Sequence, residues 1–194
     1  MKTLKIRVTG DSALLMNKDT LSDPLNPKTQ EIKVLTSKRK KLEEDHLQIA
    51  ELGYRSALYY DEGVGLYLPG AMLKASMVNG AKMQRLGAAF KRSVIVLEDM
   101  IPLNYEGPTT PDGLWEDKNF VDVRSVGVMT ARVMRYRPKI RNWSVNATIL
   151  YAEDLVEEAD LMRAIENAGM FAGVGDFRPE CGGNFGRYSV EIIG

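Results

Sequence analysis

A run of cationic and aromatic side chains occupies residues 132–143, RVMRYRPKIRNW, and no acidic residue interrupts it. Its members are Arg132, Arg135, Tyr136, Arg137, Lys139, Arg141 and Trp143. Proteins hold single-stranded nucleic acid with this combination, because cations contact the phosphates and aromatic faces stack under the bases. The run therefore predicts a binding site for single-stranded RNA or DNA. The same pattern also suits a basic edge strand whose charges prevent aggregation, or a protein–protein surface.

Other cations can extend this predicted site. Pro138 interrupts the run and indicates a hairpin tip or a strand end, and Arg124 can belong to the same hairpin. Lys5 and Arg7 alternate with apolar residues in a strand at the start of the chain. If that strand lies beside the last one, they join the site together with two tail residues. These are Arg178 and Arg187.

A glycine-rich loop lies in the tail between an amphipathic helix, about 161–172, and a final alternating strand that begins near Arg187. Its glycines are Gly173, Gly175, Gly182, Gly183 and Gly186. Glycine clusters let the backbone take a positive φ and approach a ligand or another backbone closely. The loop therefore predicts either a contact with a ligand or a long turn bent for packing.

The sequence offers few residues for enzyme chemistry. It has one histidine, His46, and one cysteine, Cys181, which argues against a histidine metal site, a catalytic triad and a thiol nucleophile. Gly173 and Gly175 lack the third glycine of a dinucleotide fingerprint, and no phosphate-binding loop is present. We therefore expect a protein that is not an enzyme and that uses neither cofactor nor metal.

Composition limits the class of protein. Lys plus Arg and Asp plus Glu both number 26, so a nucleic-acid site must come from local clustering rather than from net charge. A single cysteine suits a reducing compartment, and no apolar run approaches the roughly 20 residues that span a bilayer. We expect a cytoplasmic protein without a membrane partner.

The periodicity of the chain predicts a mixed fold. Helices are expected over about 29–60, 71–86 and 161–172, and strands over 4–8, 93–97, two or three segments within 121–151, and the C-terminus. In the first helix, the bases of residues 39–41 would pair with the acids of 43–45 at i,i+4 spacing. Residues 105–120, rich in proline and glycine, predict an exposed excursion.

Without its insertions, this order reads βαββαβ, the ferredoxin-like (RRM-like) arrangement of the α+β class. We expect a single domain over 1–194, with a helical insertion at about 17–65 and an excursion or hairpin at about 105–143. Small modules with such a sheet often bind RNA.

The tail GVGDFRPECGGNFGRYSVE resembles the glycine-rich signature of the RAMP superfamily of CRISPR-associated proteins, and Leu68–Lys74 resembles the proline-glycine helix opening of its guide-RNA-binding backbone subunits. The resemblance implies the same fold, a β-hairpin thumb that grips RNA at about the basic run, and assembly into a homo-oligomer, a filament or a larger ribonucleoprotein. The chain departs from the signature at 177–181, and no catalytic residue of the family can be placed on it.

The chain also resembles uncharacterised phage and prophage proteins that share the LLM, TSKRKK and GDFRP segments. That similarity supports an alternative function. The protein would then be a phage anti-defence or anti-CRISPR protein that acts through protein–protein contacts.

Overall fold

The computed structural model describes residues 1–128 and 131–194, apart from the side chain of Val128, and has an α+β fold. The strands are β1 (Lys2–Gly10), β2 (Leu14–Leu15), β3 (Tyr60–Asp61), β4 (Gly65–Pro69), β5 (Val94–Val96), β6 (Met100–Pro102), β7 (Asn104–Tyr105), β8 (Val121–Val128), β9 (Ala131–Ile140), β10 (Trp143–Tyr151) and β11 (Tyr188–Ile192). The helices are α1 (Pro27–Ser37), α2 (Glu43–Ala57), α3 (Gly70–Lys82), α4 (Gly87–Ser93), α5 (Pro111–Glu116) and α6 (Glu158–Asn167).

The chain divides into two compact units, each made of separate segments. The first unit comprises Met1–Leu14, Asp61–Glu106 and Ile140–Gly194, and the second comprises Leu15–Tyr60 and Gly107–Lys139. The sequence analysis expected a single domain with an insertion at about 17–65 and an excursion at about 105–143, and the second unit is built from residues 15–60 and 107–139. These two segments form a unit with each other, which the sequence pattern did not indicate.

The main sheet of the first unit has the strand order β11–β1–β10–β5, and each neighbouring pair is antiparallel. Ile6 lies opposite Ala147 in β10, and Val8 lies opposite Val190 in β11. The prediction that the first strand lies beside the last is therefore confirmed. Alternation buries one face of this sheet, as in Leu4, Ile6 and Val8, and α3 and α6 contribute to the same core.

Helix α3 confirms the helix expected after Pro69, but it ends at Lys82 rather than near Leu86. The chain turns at Arg85, which has a φ of 61°, and the N–H of Leu86 donates to the carbonyl oxygen of Ala81 at 3.0 Å. This bond closes the last turn in the manner of a Schellman cap. The helix reaches α6 closely, because a Cβ on Gly80 would lie 2.2 Å from the carbonyl oxygen of Ala164.

The apolar run at 93–97 forms β5, but the expectation of a fully buried strand is wrong. Val94 is buried, whereas the side chain of Ile95 is 40 % exposed. The strand lies at the edge of the main sheet, where β10 is its partner. A continuous apolar run does not distinguish an edge position from a central one, because that choice depends on the pairing of distant strands.

The basic stretch of the second unit lies in a loop. A continuous helix over 29–60 was expected, but α1 ends at Ser37 and α2 begins at Glu43, so residues 38–42 are not helical. Asp45 explains the break, since its carboxylate accepts from the backbone N–H of Leu42 at 2.9 Å and from the ammonium of Lys38 at 2.5 Å. A carboxylate at this position caps the N-terminus of α2. The i,i+4 ion pairs predicted for this stretch are therefore absent.

We expect removal of the Asp45 carboxylate to make the free energy of unfolding less dependent on pH. The Lys38 ammonium, followed by the Leu42 N–H, lowers the pKa of Asp45 below its ordinary value. A carboxyl with a depressed pKa stabilises the fold above its unfolded pKa of about 3.9, and this contribution disappears as pH falls through the folded pKa. Thermal unfolding should show Asp45→Asn below wild type at pH 7, with a smaller gap at about pH 3, which lies below the unfolded pKa. The exposed Glu106→Gln is the control, and an equal gap at both pH values would contradict the role of Asp45.

The excursion at 105–120 is partly helical and not simply an exposed loop. Helix α5 begins after Thr110, whose hydroxyl accepts from the N–H of Gly113, and it buries Leu114. The hydroxyl of Tyr54 in α2 donates to the carbonyl oxygens of Leu114 and Phe120, at 3.1 and 3.2 Å.

Across residues 1–128 and 131–194, none of the helices combines the length and the apolar character needed to cross a membrane.

Candidate nucleic-acid interface

The basic run forms one strand of a hairpin in the second unit. Strands β8 and β9 pair from Val121 opposite Pro138 to Val128 opposite Ala131. Of the two alternatives for Pro138, the hairpin tip is wrong and the strand end agrees with the structure, since Pro138 is buried near the end of β9 at Ile140, and its carbonyl oxygen accepts from the N–H of Met16. Arg124 lies in β8, as predicted for a member of the same hairpin.

The register of the hairpin separates its side chains into two faces. Residues opposite each other share a face, and residues two apart in one strand also do. One face, here called the arginine face, carries Asp122, Arg124, Arg135, Arg137 and Lys139. The other, here called the tyrosine face, carries Val123, Ser125, Gly127, Arg132, Met134 and Tyr136.

On the arginine face, one carboxylate meets several cations. Asp122 is 5 % exposed, receives a hydrogen bond from Nε of Arg124 at 2.6 Å, and lies 4.0 Å from Nζ of Lys139. Arg137, opposite Asp122, is 9 % exposed, so most of it is unavailable to a ligand. Arg135 lies directly opposite Arg124, is exposed, and forms no ion pair with any described residue.

The tyrosine face includes an aromatic group that the sequence did not indicate. The ring of Tyr136 packs edge-on against Trp115 of α5, with centroids 6.1 Å apart, and Trp115 also contacts Tyr54, at 5.2 Å. Nζ of Lys118 lies 4.0 Å from the centroid of the Trp115 ring. Trp115 lies well outside the basic run in sequence, so only tertiary pairing brings it to the hairpin.

Six predicted site residues lie in this hairpin, and the other six lie in the first unit. Lys5 and Arg7 are exposed on β1. Arg7 bonds to Asn146 Oδ1 at 3.1 Å and to Glu191 at 3.2 Å, so neighbouring strands already satisfy its guanidinium. Arg141 is exposed between β9 and β10.

Trp143, expected to stack under a base, is 3 % exposed. Its indole N–H donates to the carbonyl oxygen of Ser12 at 2.9 Å, and its ring occupies the space above Gly10, where a Cβ would lie 2.2 Å away. Such a ring offers no open face to a base. The expectation for Trp143 is therefore corrected, and the residue belongs to the core of the first unit.

The two tail arginines also make intramolecular contacts. Arg178 donates to the carboxylate of Glu180 at 2.9 Å and to the carbonyl oxygen of Gly175 at 3.2 Å. Arg187 has an exposed side chain, and its backbone pairs with Asp11 and Ser12 beyond the end of β1. These contacts position the glycine-rich loop beside the main sheet.

The backbone conformation and close packing of that loop require glycine at these positions. Positive φ values occur at Gly173, Gly175, Gly182 and Gly186, between 65° and 78°. A Cβ on Gly183 would lie 1.7 Å from the carbonyl oxygen of Phe177. Of the two alternatives left open by the sequence, the turn bent for packing accounts for these residues without a ligand.

The loop at 38–41 was not included among the predicted site residues. Arg39 and Lys40 are exposed, and neither forms an ion pair with a described residue. The sequence signal was present as four consecutive bases, but the expected helix paired them with the following acids.

Among the described residues, no group of three or more His, Cys, Asp or Glu side chains is arranged to hold a metal ion.

The chain matches no protein-family model and no curated protein sequence. Its resemblance to the RAMP superfamily therefore rests on the residues quoted for it, and membership in a family remains a proposal.

Proposed function

We propose that the protein binds single-stranded RNA or DNA through the phosphate backbone, using the hairpin of β8 and β9. The observation that carries the proposal is the direct cross-strand pairing of Arg124 with Arg135. Like charges opposite each other destabilise the pairing of two antiparallel strands. The ion pair of Arg124 with Asp122 offsets part of this repulsion. A bound polyanion would remove the rest, and Arg135 is the member of the pair that is left for a phosphate.

The density of charge supports the same proposal. Strands β8 and β9 contain the cations Arg124, Arg132, Arg135, Arg137 and Lys139 but a single carboxylate, Asp122, in a chain that is neutral overall. A local excess of positive charge attracts phosphates even when the net charge of the whole chain is zero. A basic edge strand needs fewer charges, and one lysine often suffices to prevent aggregation.

The main sheet is a weaker candidate surface than the hairpin. The solvent-facing side chains of β1 and β10 are Thr3, Lys5, Arg7, Thr9, Ser144, Asn146, Thr148 and Leu150. RNA-binding modules that use such a face stack bases on aromatic residues of the central strands, and these two fully described strands present none there. The proposed role of this sheet is to support the fold.

The proposal includes a ferredoxin-like core for the first unit. If β1, α3, β5, β10, α6 and β11 are taken as the six elements of βαββαβ, the sheet order is fourth, first, third, second. This order is the one that the RAMP resemblance implies, and β8 and β9 fall in the part of the chain where the resemblance predicts a thumb. On this proposal the protein is a non-enzymatic, backbone-contacting subunit that assembles on its nucleic acid in the cytoplasm.

Fluorescence anisotropy with 12-nucleotide RNA and DNA strands, and with a 12-base-pair duplex, tests the proposal between 50 and 300 mM salt. Each phosphate contact contributes about −0.7 to the slope of log K against log salt, so three or four hairpin contacts predict a slope of about −2 to −3. Labelled RNA should be recovered intact. Absence of binding at 50 mM salt by folded protein would overturn the proposal and favour the alternative, a protein partner.

A further inference from the structure

We propose that the tyrosine face of the hairpin is a subsite for unpaired nucleobases, centred between Gly127 and Tyr136. This inference rests on the proposed function. It adds which part of the nucleic acid each face of the hairpin contacts. Flat bases meet the tyrosine face, where Arg132 contacts the phosphates beside them, and further phosphates of the same strand meet the arginine face.

Gly127 is the first observation that supports the subsite. It lies inside β8 opposite Arg132, and its φ is outside the left-handed region. A Cβ at this position would have no described neighbour within 4 Å, so packing does not require a glycine. Glycine weakens a strand interior, and where neither bulge nor packing accounts for it, it often marks a close approach of a ligand. The bare backbone beside Arg132 leaves room for a flat ring.

The side chains around Gly127 are of the kind that contact bases. Met134 and Val123 are 56 % and 47 % exposed, and both share this face with Tyr136. Sulfur and aromatic rings interact favourably with π systems, and stacking of this kind tolerates any base sequence. Val121 lies on the same face and is buried, whereas Val123 and Met134 farther along the hairpin are exposed, so the buried part of this face ends before them.

Two cations, Arg132 on the tyrosine face and Lys118 beside Trp115, are held in place by hydrogen bonds within the protein. Nε of Arg132 donates to the hydroxyl of Ser125 at 2.8 Å, and Nη2 approaches its carbonyl oxygen at 3.3 Å. Lys118 is fixed over Trp115 by a hydrogen bond to the carbonyl oxygen of that residue, at 2.7 Å. A strand whose bases lie on this face therefore has positioned cations beside its phosphates. Charge and shape together favour a single-stranded nucleic acid over an apolar peptide.

The test compares the full-length protein with a 12-nucleotide oligouridine and with an abasic strand of the same phosphate number at 50 mM salt. If one or more bases stack, the abasic strand should bind at least about tenfold more weakly. Gly127→Val should fold at least as stably as wild type, since valine favours a strand, and should lose about tenfold in affinity for oligouridine but not for the abasic strand. Gly127→Ala should lie between the two.

Tryptophan fluorescence gives an independent reading. The chain has two tryptophans, of which Trp143 is buried and Trp115 is half-buried beside Tyr136. Oligouridine should quench Trp115, and Trp115→Phe should remove the quenching while retaining a ring at this position. Equal affinity for both strands in the wild type would overturn this subsite and leave the proposed function standing. Absence of binding to either strand would overturn both.

Discussion

Replacing Arg132 and Arg135 together by glutamate is expected to lower the affinity for single-stranded RNA by at least about a hundredfold at 50 mM salt. Each lost phosphate contact removes about 0.7 from the salt slope, which at this concentration corresponds to nearly a factor of ten. Two contacts therefore account for about a hundredfold, and the added negative charges repel the strand further. The salt slope itself should fall by about 1.4 or more.

This double variant separates binding from stability. The substitution Arg135→Glu places a carboxylate opposite Arg124, so the change converts a like-charge pair into an opposite-charge pair. Such cross-strand pairs stabilise a sheet by about 0.2–1 kcal/mol. The melting temperature should therefore be retained or rise while binding is lost. A role confined to protecting an edge strand predicts the same effect on the melting temperature but no change in affinity.

The control for this variant makes the same charge change outside the hairpin. Lys33 in α1 and Arg92 in α4 are both exposed. Lys33→Glu combined with Arg92→Glu alters net charge equally and should reduce affinity by less than about tenfold, through long-range electrostatics alone. An equal loss in the two double variants would mean that net charge, rather than the hairpin, governs binding.

Gly186→Ala is expected to destabilise the protein by about 3 kcal/mol, the largest effect on stability among the glycine-loop positions considered. Gly186 has a φ of 65°, where an L-residue costs about 1–2 kcal/mol. A Cβ there would also lie 1.7 Å from the carbonyl oxygen of Val174. The two residues are joined through the N–H of Val174, at 2.9 Å, so the clash opens the pairing of the loop. Thermal unfolding should show a fall of about 6–12 °C.

Gly182→Ala is the matched control, because Gly182 has a similar φ of 76° but no described neighbour within 4 Å of an added Cβ. It should lose only about 1 kcal/mol, the backbone contribution. Both variants should retain the RNA affinity of wild type at temperatures where they are folded. Reduced RNA affinity in Gly182→Ala, with little change in melting temperature, would assign the loop a part in binding and contradict its structural explanation.

Local patterns predicted the elements whose residues alternate or recur without interruption. Strands β1, β10 and β11 follow from their alternation, and α3 follows from small apolar residues after Pro69. The prediction failed at the stretch 38–41, because helical spacing offered i,i+4 ion pairs while Asp45 instead capped α2. A carboxylate can serve either arrangement, and the spacing of charges does not decide between a side-chain partner and a backbone N–H.

The sequence by itself determined the α+β class and the basic character of residues 132–141, since period-two alternation and charge are properties of neighbouring residues. The adjacency of the first and last strands was predicted from the order of the elements, which is a rule of topology and not a local pattern. Only the tertiary structure decided which of those side chains a ligand can reach. In the folded protein, Trp143 is buried against Gly10, which has no side chain to block the ring. Most of the Arg137 side chain is buried opposite Asp122. The tertiary structure also brought Trp115 to Tyr136. Burial and long-range pairing depend on how distant segments fill space together, and no local pattern carries that information.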